Sequence, residues 1–167
     1  MNNQVKKLSL AGVLIALAVV CSAFYIPVGI AKCFPIQHMV NVLSGVLLGP
    51  WYALGVAFCT SLIRVILGTG SILAFPGSMF GAVLSGLFYI KTRKLMAAFA
   101  GEVFGTGIIG ALASYPIATL VMAREAALFG FVVPFGMSSL MGAAFSLVLI
   151  NVMARTKVID KVAQDLK

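Results

Sequence analysis

Residues 33–63 read CFPIQHMVNVLSGVLLGPWYALGVAFCTSLI, a run of 31 without one Asp, Glu, Lys or Arg. As a single helix rising ~1.5 Å per residue it would measure about 46 Å, too long for one ordinary crossing of ~30 Å of hydrocarbon. Gly49-Pro50 divides it, because glycine ends a helix readily and proline opens the next one where its missing N–H has no partner to lose. Two short helices result, expected over 35–48 and 51–67. Further charge-free runs cover 8–31, 65–90, 103–123 and 126–154. Composition agrees with a bilayer: 62% of the 167 residues are hydrophobic and 10% charged, with a mean hydropathy of +1.12, more apolar than a water-soluble surface allows. The expected fold is an all-α integral membrane protein, a single membrane domain over 1–167 with six transmembrane helices.

The other four helices follow from the breakers. The first is expected over 8–26, stopped by Pro27. Gly68-Thr69-Gly70 and Phe75-Pro76-Gly77 read as turns, so the fourth starts near Ser78 and covers 78–90. The fifth is expected over 95–122 with a kink at Pro116, and the sixth over 134–153. Lys6-Lys7 before an apolar stretch has the look of a signal peptide, but the stretch from Leu8 is long enough to span, so a retained first helix is expected. Val20 before Cys21 is not the small residue that lipoprotein processing needs.

The net charge of +8 does not gather in one patch, as a nucleic-acid surface would require; it marks helix ends. Lys6, Lys7, Lys91, Arg93, Lys94, Arg155, Lys157, Lys161 and Lys167 fall on one face of the six-helix arrangement, Lys32 and Arg124 on the other. Both termini are therefore expected in the cytoplasm. The loops 27–34, 68–77 and 123–133 then face outward, and the apolar ones, such as Ser71-Ile72-Leu73-Ala74-Phe75, need a partner surface or a cavity to cover. They read as lids.

Arg64 and Glu102 are the ionisable side chains well inside expected spans, where each needs a reason to be. Two reasons compete: an Arg64–Glu102 ion pair that fixes packing, or a polar cavity that binds a solute. Gln37, His38 and Asn41 give the start of the second helix a polar edge, since residues three or four apart share a face. Tyr25, Phe34, Phe75 and Tyr115 lie near outer ends, where rings serve either an interfacial belt or a stack on a flat solute. Small residues four apart, such as Gly12 and Ala16, Gly77 and Gly81, Gly101 and Gly105, and Ser138, Gly142 and Ser146, allow close helix approach in lipid. Cys21, Cys33 and Cys59 form neither a disulfide framework nor a metal pattern, and no metal site is expected. Gly105 to Gly110 matches a dinucleotide fingerprint by spelling alone, without the strand it requires. No Gly-Lys dipeptide exists for a phosphate loop, so ATP-driven work would need another chain, and no nucleophile–base set suggests an enzyme. No cofactor is expected.

Four stretches, AKCFPIQH (31–38), LGPWYA (48–53), LGTGSILAFPGS (67–78) and GEVFGTGIIG (101–110), together with Tyr115-Pro116, carry a resemblance to the ThiW family. These are thiazole-specific S components of energy-coupling factor transporters. The likeness spans most of the chain and is weakest over 123–135. It implies an S-component bundle in a prokaryotic cell membrane that captures the thiazole precursor of thiamin, hydroxyethylthiazole. It further implies a transmembrane coupling subunit and two ATPase subunits as partners, with the first helix docking on the coupling subunit through small residues, here Gly12 and Ala16. The substrate-binding candidates are Gln37, His38, Asn41, Arg64, Phe75, Glu102 and Tyr115. By sequence position Glu102 lies nearer the cytoplasmic end than an outward pocket would prefer.

Overall fold

A computed structural model of the chain describes residues 2–28, 31–123, 125–157 and 162. Arg124, Lys161 and Lys167, which enter the charge argument above, lie outside the described residues. The order is α1 (Asn3–Val20), β1 (Ile26–Val28), β2 (Ala31–Cys33), α2 (Pro35–Leu47), α3 (Pro50–Ile66), α4 (Ala74–Thr92), α5 (Leu95–Val121) and α6 (Val132–Arg155).

Three of these helices, Asn3–Ala23 with its terminal turn, Leu95–Val121 and Val132–Arg155, are long and apolar enough to cross a membrane, and Pro50–Ile66 is apolar but shorter. Large apolar side chains are exposed all around the bundle, among them Phe24, Trp51, Ile66, Leu120 and Val148. A surface of that kind is at home against lipid and would aggregate in water.

α2 is the centre. It packs on α4, α6, α3, α1 and α5, and Val40, Val42 and Leu43 on it are buried, as a helix apolar around most of its circumference must be. Its end and the start of α3 form one junction: Gly49 sits at φ 89°, a left-handed conformation costly for other residues, and Pro50 opens α3. Between α4 and α5 the spacing is set by missing side chains. A Cβ on Gly105 would lie 2.7 Å from Gly81 Cα, and one on Gly101 2.6 Å from the Leu84 carbonyl oxygen. Such backbone-to-backbone approach is how helices gain dispersion energy where lipid removes the hydrophobic drive.

Three boundaries differ from the sequence expectation. α1 ends at Val20, and Ile26-Pro27-Val28, expected as helix end and loop, pairs antiparallel with Ala31–Cys33 in the register Ile26↔Cys33, Pro27↔Lys32; the β-branched residues beside Pro27 favour extended backbone. α4 starts at Ala74, so Phe75-Pro76-Gly77 is helix rather than turn. Pro76 falls in the first turn, where an N–H has no intrahelical partner to lose. In α5 the expected kink at Pro116 is a change of helix type: Gly105–Gly110 and Ile117–Val121 are π-helical, the second following directly on the proline that cannot donate to the regular ladder.

Candidate substrate site

A cavity of about 870 Å³ lies where β2, the start of α2, the end of α3, the start of α4 and the start of α6 converge. The size is within the ~300–1,000 Å³ usual for small-molecule sites. Its walls come from the hairpin (Lys32, Phe34), from α2 (Gln37, His38), from α3 (Arg64), from the 68–74 loop, and from 125–138, which contributes Glu125, Phe131, Phe135 and Ser138. The segments expected to act as lids thus surround one space. Phe34 is anchored there by its backbone N–H, which donates to Ser138 Oγ at 2.8 Å. Next to it, Cys33 is fully buried and its thiol points at the Pro134 carbonyl at 3.6 Å; burial pushes that thiol above its ordinary range.

Arg64 is 1% exposed. Its Nη1 donates to Gln37 Oε1, its Nη2 to the Thr69 carbonyl at 3.2 Å, and its guanidinium stacks 4.1 Å from the Phe34 ring centre. The loop after α3 is shaped for this. Gly68 takes φ 72°, which turns the chain so that Thr69 and Gly70 both donate their N–H to the Arg64 carbonyl, at 2.9 and 3.0 Å. Arg64 therefore organises the loop, the aromatic wall and Gln37 at once, while its Nε has no partner among the described residues.

Glu102 is 0% exposed and lies behind His38. Its Oε1 is 2.8 Å from His38 Nδ1, 3.1 Å from Asn41 Nδ2 and 3.0 Å from Thr106 Oγ1. Asn41 Nδ2 also donates to the Ser78 carbonyl at 3.2 Å. α2 and α5 are tied at this one oxygen, and Asn41 links α4 to it through the Ser78 carbonyl. Gly81 makes room for it: a Cβ there would meet Thr106 Oγ1 and lie 2.7 Å from Glu102 Oε2. Gly142 does the same for His38 from the other side, since a Cβ would fall 2.6 Å from His38 Cβ.

The ion pair weighed from sequence is corrected by this geometry. Among the described residues Arg64 and Glu102 do not pair; the ionisable side chain against Glu102 is His38, at 2.8 Å. The reason is depth. His38 stands nine residues from the last residue of the short α2 and Glu102 seven from the start of α5, about 14 and 10 Å at ~1.5 Å per residue, so they meet at similar height. Arg64, at the opposite end of α3, is reached first by Gln37.

Of the seven substrate-binding candidates, Gln37, His38 and Arg64 line the cavity. Asn41 and Glu102 form the layer beneath. Phe75 packs on Phe58 with ring centres 5.5 Å apart, on the far side of the first turn of α4, and Tyr115 is half-buried on α5 away from the cavity. Thr69, Phe131 and Phe135 were not singled out from sequence, and Ser138 was read only as a small residue that lets helices approach. The first is an ordinary loop residue by type, and the others sit in or beside the segment with the weakest family likeness. Gly12 and Ala16 lie on an exposed face of α1, with nothing within 4 Å of a Cβ built at Gly12. Among the described residues there is no cluster of His, Cys, Asp and Glu fit to hold a metal.

Comparison with protein families matches the chain to ThiW, described as thiamine-precursor transporter protein, over residues 8–156. No curated protein and no solved structure matches the chain.

Proposed function

Because the chain belongs to the ThiW family of thiamine-precursor transporters, we propose that it is the substrate-capturing S component of an energy-coupling factor importer and that its solute is hydroxyethylthiazole. The observation that carries the reading is the cavity, which joins an aromatic wall to a buried guanidinium and an imidazole. A thiazole alcohol is flat, small and uncharged. Phe34 and Phe135 offer it ring faces, and Arg64, Gln37 and His38 offer hydrogen bonds to its ring nitrogen and hydroxyl.

The proposal extends to the whole chain. Six helices cross a prokaryotic cell membrane with both termini in the cytoplasm, and the cavity opens outward. A coupling subunit docks on the face of α1 that carries Gly12 and Ala16, and two ATPase subunits supply the energy that this chain, without a phosphate loop, does not. The short α2 fits a helix that need not bridge the full bilayer, because its outer end floors a cavity instead of meeting lipid. Mass spectrometry of small molecules released from the purified chain tests the reading. A thiazole alcohol among them supports it; a different vitamin precursor reassigns the substrate while keeping the transport role.

A further inference from the structure

His38 meets Glu102 with one ring nitrogen and the cavity with the rest of its ring, and the first contact decides what the second can do. Which atom carries the proton between Nδ1 and Glu102 Oε1, 2.8 Å apart, follows from the other groups on that oxygen. Asn41 Nδ2 lies 3.1 Å from Oε1 and 3.2 Å from the Ser78 carbonyl. A backbone carbonyl only accepts, so the Asn41 amide is oriented with its N–H groups toward both oxygens. Thr106 Oγ1 approaches the same Oε1 at 3.0 Å as a donor. Oε2 has no partner among the described residues. A proton on Oε1 would set a hydroxyl among donors, and a proton on Oε2 would bury a donor with nothing to receive it. Oε1 therefore accepts from His38 as well and Nδ1 carries the hydrogen; in the neutral ring that leaves the lone pair on Nε2. Nε2 has no hydrogen-bond partner among the described residues and is not one of the enclosed partnerless atoms, and His38 lines the cavity.

We propose that Glu102 is a positioning residue that acts through His38. It fixes the imidazole as the Nδ1–H tautomer and so presents Nε2 to the cavity as an acceptor, which makes the site select solutes that carry a hydroxyl or N–H donor beside the ring. Arg64 and Nε2 are complementary: the guanidinium only donates, the imidazole nitrogen only accepts, and Gln37 Oε1 is already taken by Arg64. A solute with an acceptor at one end and a donor at the other satisfies both. The inference rests on the thiazole reading only for the identity of the ring.

His38 is the one histidine of the chain, so isotope-labelled histidine in the full chain, held in lipid nanodiscs, gives a single imidazole in nitrogen NMR. The ligand-free protein is expected to show a protonated Nδ1 and a bare Nε2. Hydroxyethylthiazole should shift the Nε2 resonance. Its methyl ether, which has no donor, should leave Nε2 unshifted and bind about fivefold more weakly or worse, the loss of one hydrogen bond. Glu102→Gln keeps an acceptor oxygen and should keep the tautomer, whereas Glu102→Leu should release it and abolish the preference for alcohol over ether. A protonated Nε2 in the unaltered protein, or equal affinity for alcohol and ether, overturns the proposal. Should Glu102→Leu not fold, the tautomer and the ether comparison in the unaltered chain decide it alone. An Nδ1–H ring in a protein that binds neither thiazole supports the tautomer assignment and overturns the thiazole reading instead.

Discussion

Arg64 is a buried cation with neutral partners, held by the Gln37 amide, the Thr69 carbonyl and the face of Phe34. That arrangement needs a planar fork that can stack, which lysine lacks. Arg64→Lys is therefore expected to weaken thiazole binding by about tenfold or more, since hydrogen bonds involving a charged group contribute ~1.5–3 kcal/mol; unchanged affinity in a calorimetric titration would remove Arg64 from the site. Glycines divide in a comparable way. Gly81→Ala drives a Cβ into the Glu102 carboxylate and Thr106, and should cost roughly 1–3 kcal/mol as overpacking does, visible as a lower melting temperature. Gly12→Ala meets open space and should be neutral or slightly stabilising, because alanine is the better helix former by up to ~1 kcal/mol. At this scale the sequence was informative about which residues matter and poor on who meets whom. Arg64, Glu102, His38, Gln37 and Asn41 stood out because a polar group in an apolar run must be satisfied. Their pairing was not legible, since charge alone favours Arg64 with Glu102, while the real partners depend on how high each helix starts.

Elements carry the site by their lengths and crossings. α2 brings Gln37 and His38 into the cavity only because it stops short, and the same shortness sets His38 level with Glu102. The Gly49-Pro50 junction that makes it short was plain in the sequence. The hairpin Ile26–Val28 with Ala31–Cys33 was not, because six residues of strand in an apolar helical protein leave no period to read, and neither was the early start of α4, where Pro76 looks like a breaker and is a first-turn residue. The π-helical turns of α5 depend on a missing N–H and on glycine contacts across to α4, which single-chain patterning does not reveal. Two substitutions probe elements separately. Gly142→Leu pushes α6 from α2 at His38, and should abolish thiazole binding even where the protein still folds; retained affinity would mean that the α2–α6 crossing does not position the imidazole. Gly12→Leu, on the open face of α1, should leave thiazole affinity unchanged and prevent co-purification with the coupling subunit, and an intact complex would move the docking surface elsewhere.

For the molecule as a whole, the exposed apolar girth and the three long helices place it in a membrane, and the distribution of Lys and Arg gives the proposed orientation. In a background without native cysteines, a cysteine at position 3 or 92 should be labelled only from the cytoplasmic side and one at 72 only from outside. Labelling at 72 from the cytoplasm would break the six-crossing arrangement. Orientation matters because every wall of the cavity except α2, α3 and α6 side chains comes from segments expected on the outer side, so the site and the lids stand or fall with it. The central claim is that this cavity captures the thiazole half of thiamin before any partner is engaged. Its most direct test is equilibrium titration of the isolated, detergent- or nanodisc-held chain with hydroxyethylthiazole and, separately, with the aminopyrimidine precursor. The account predicts saturable binding of one thiazole per chain that the pyrimidine does not compete away; tighter binding of the pyrimidine, or no thiazole binding by a folded chain, would contradict it.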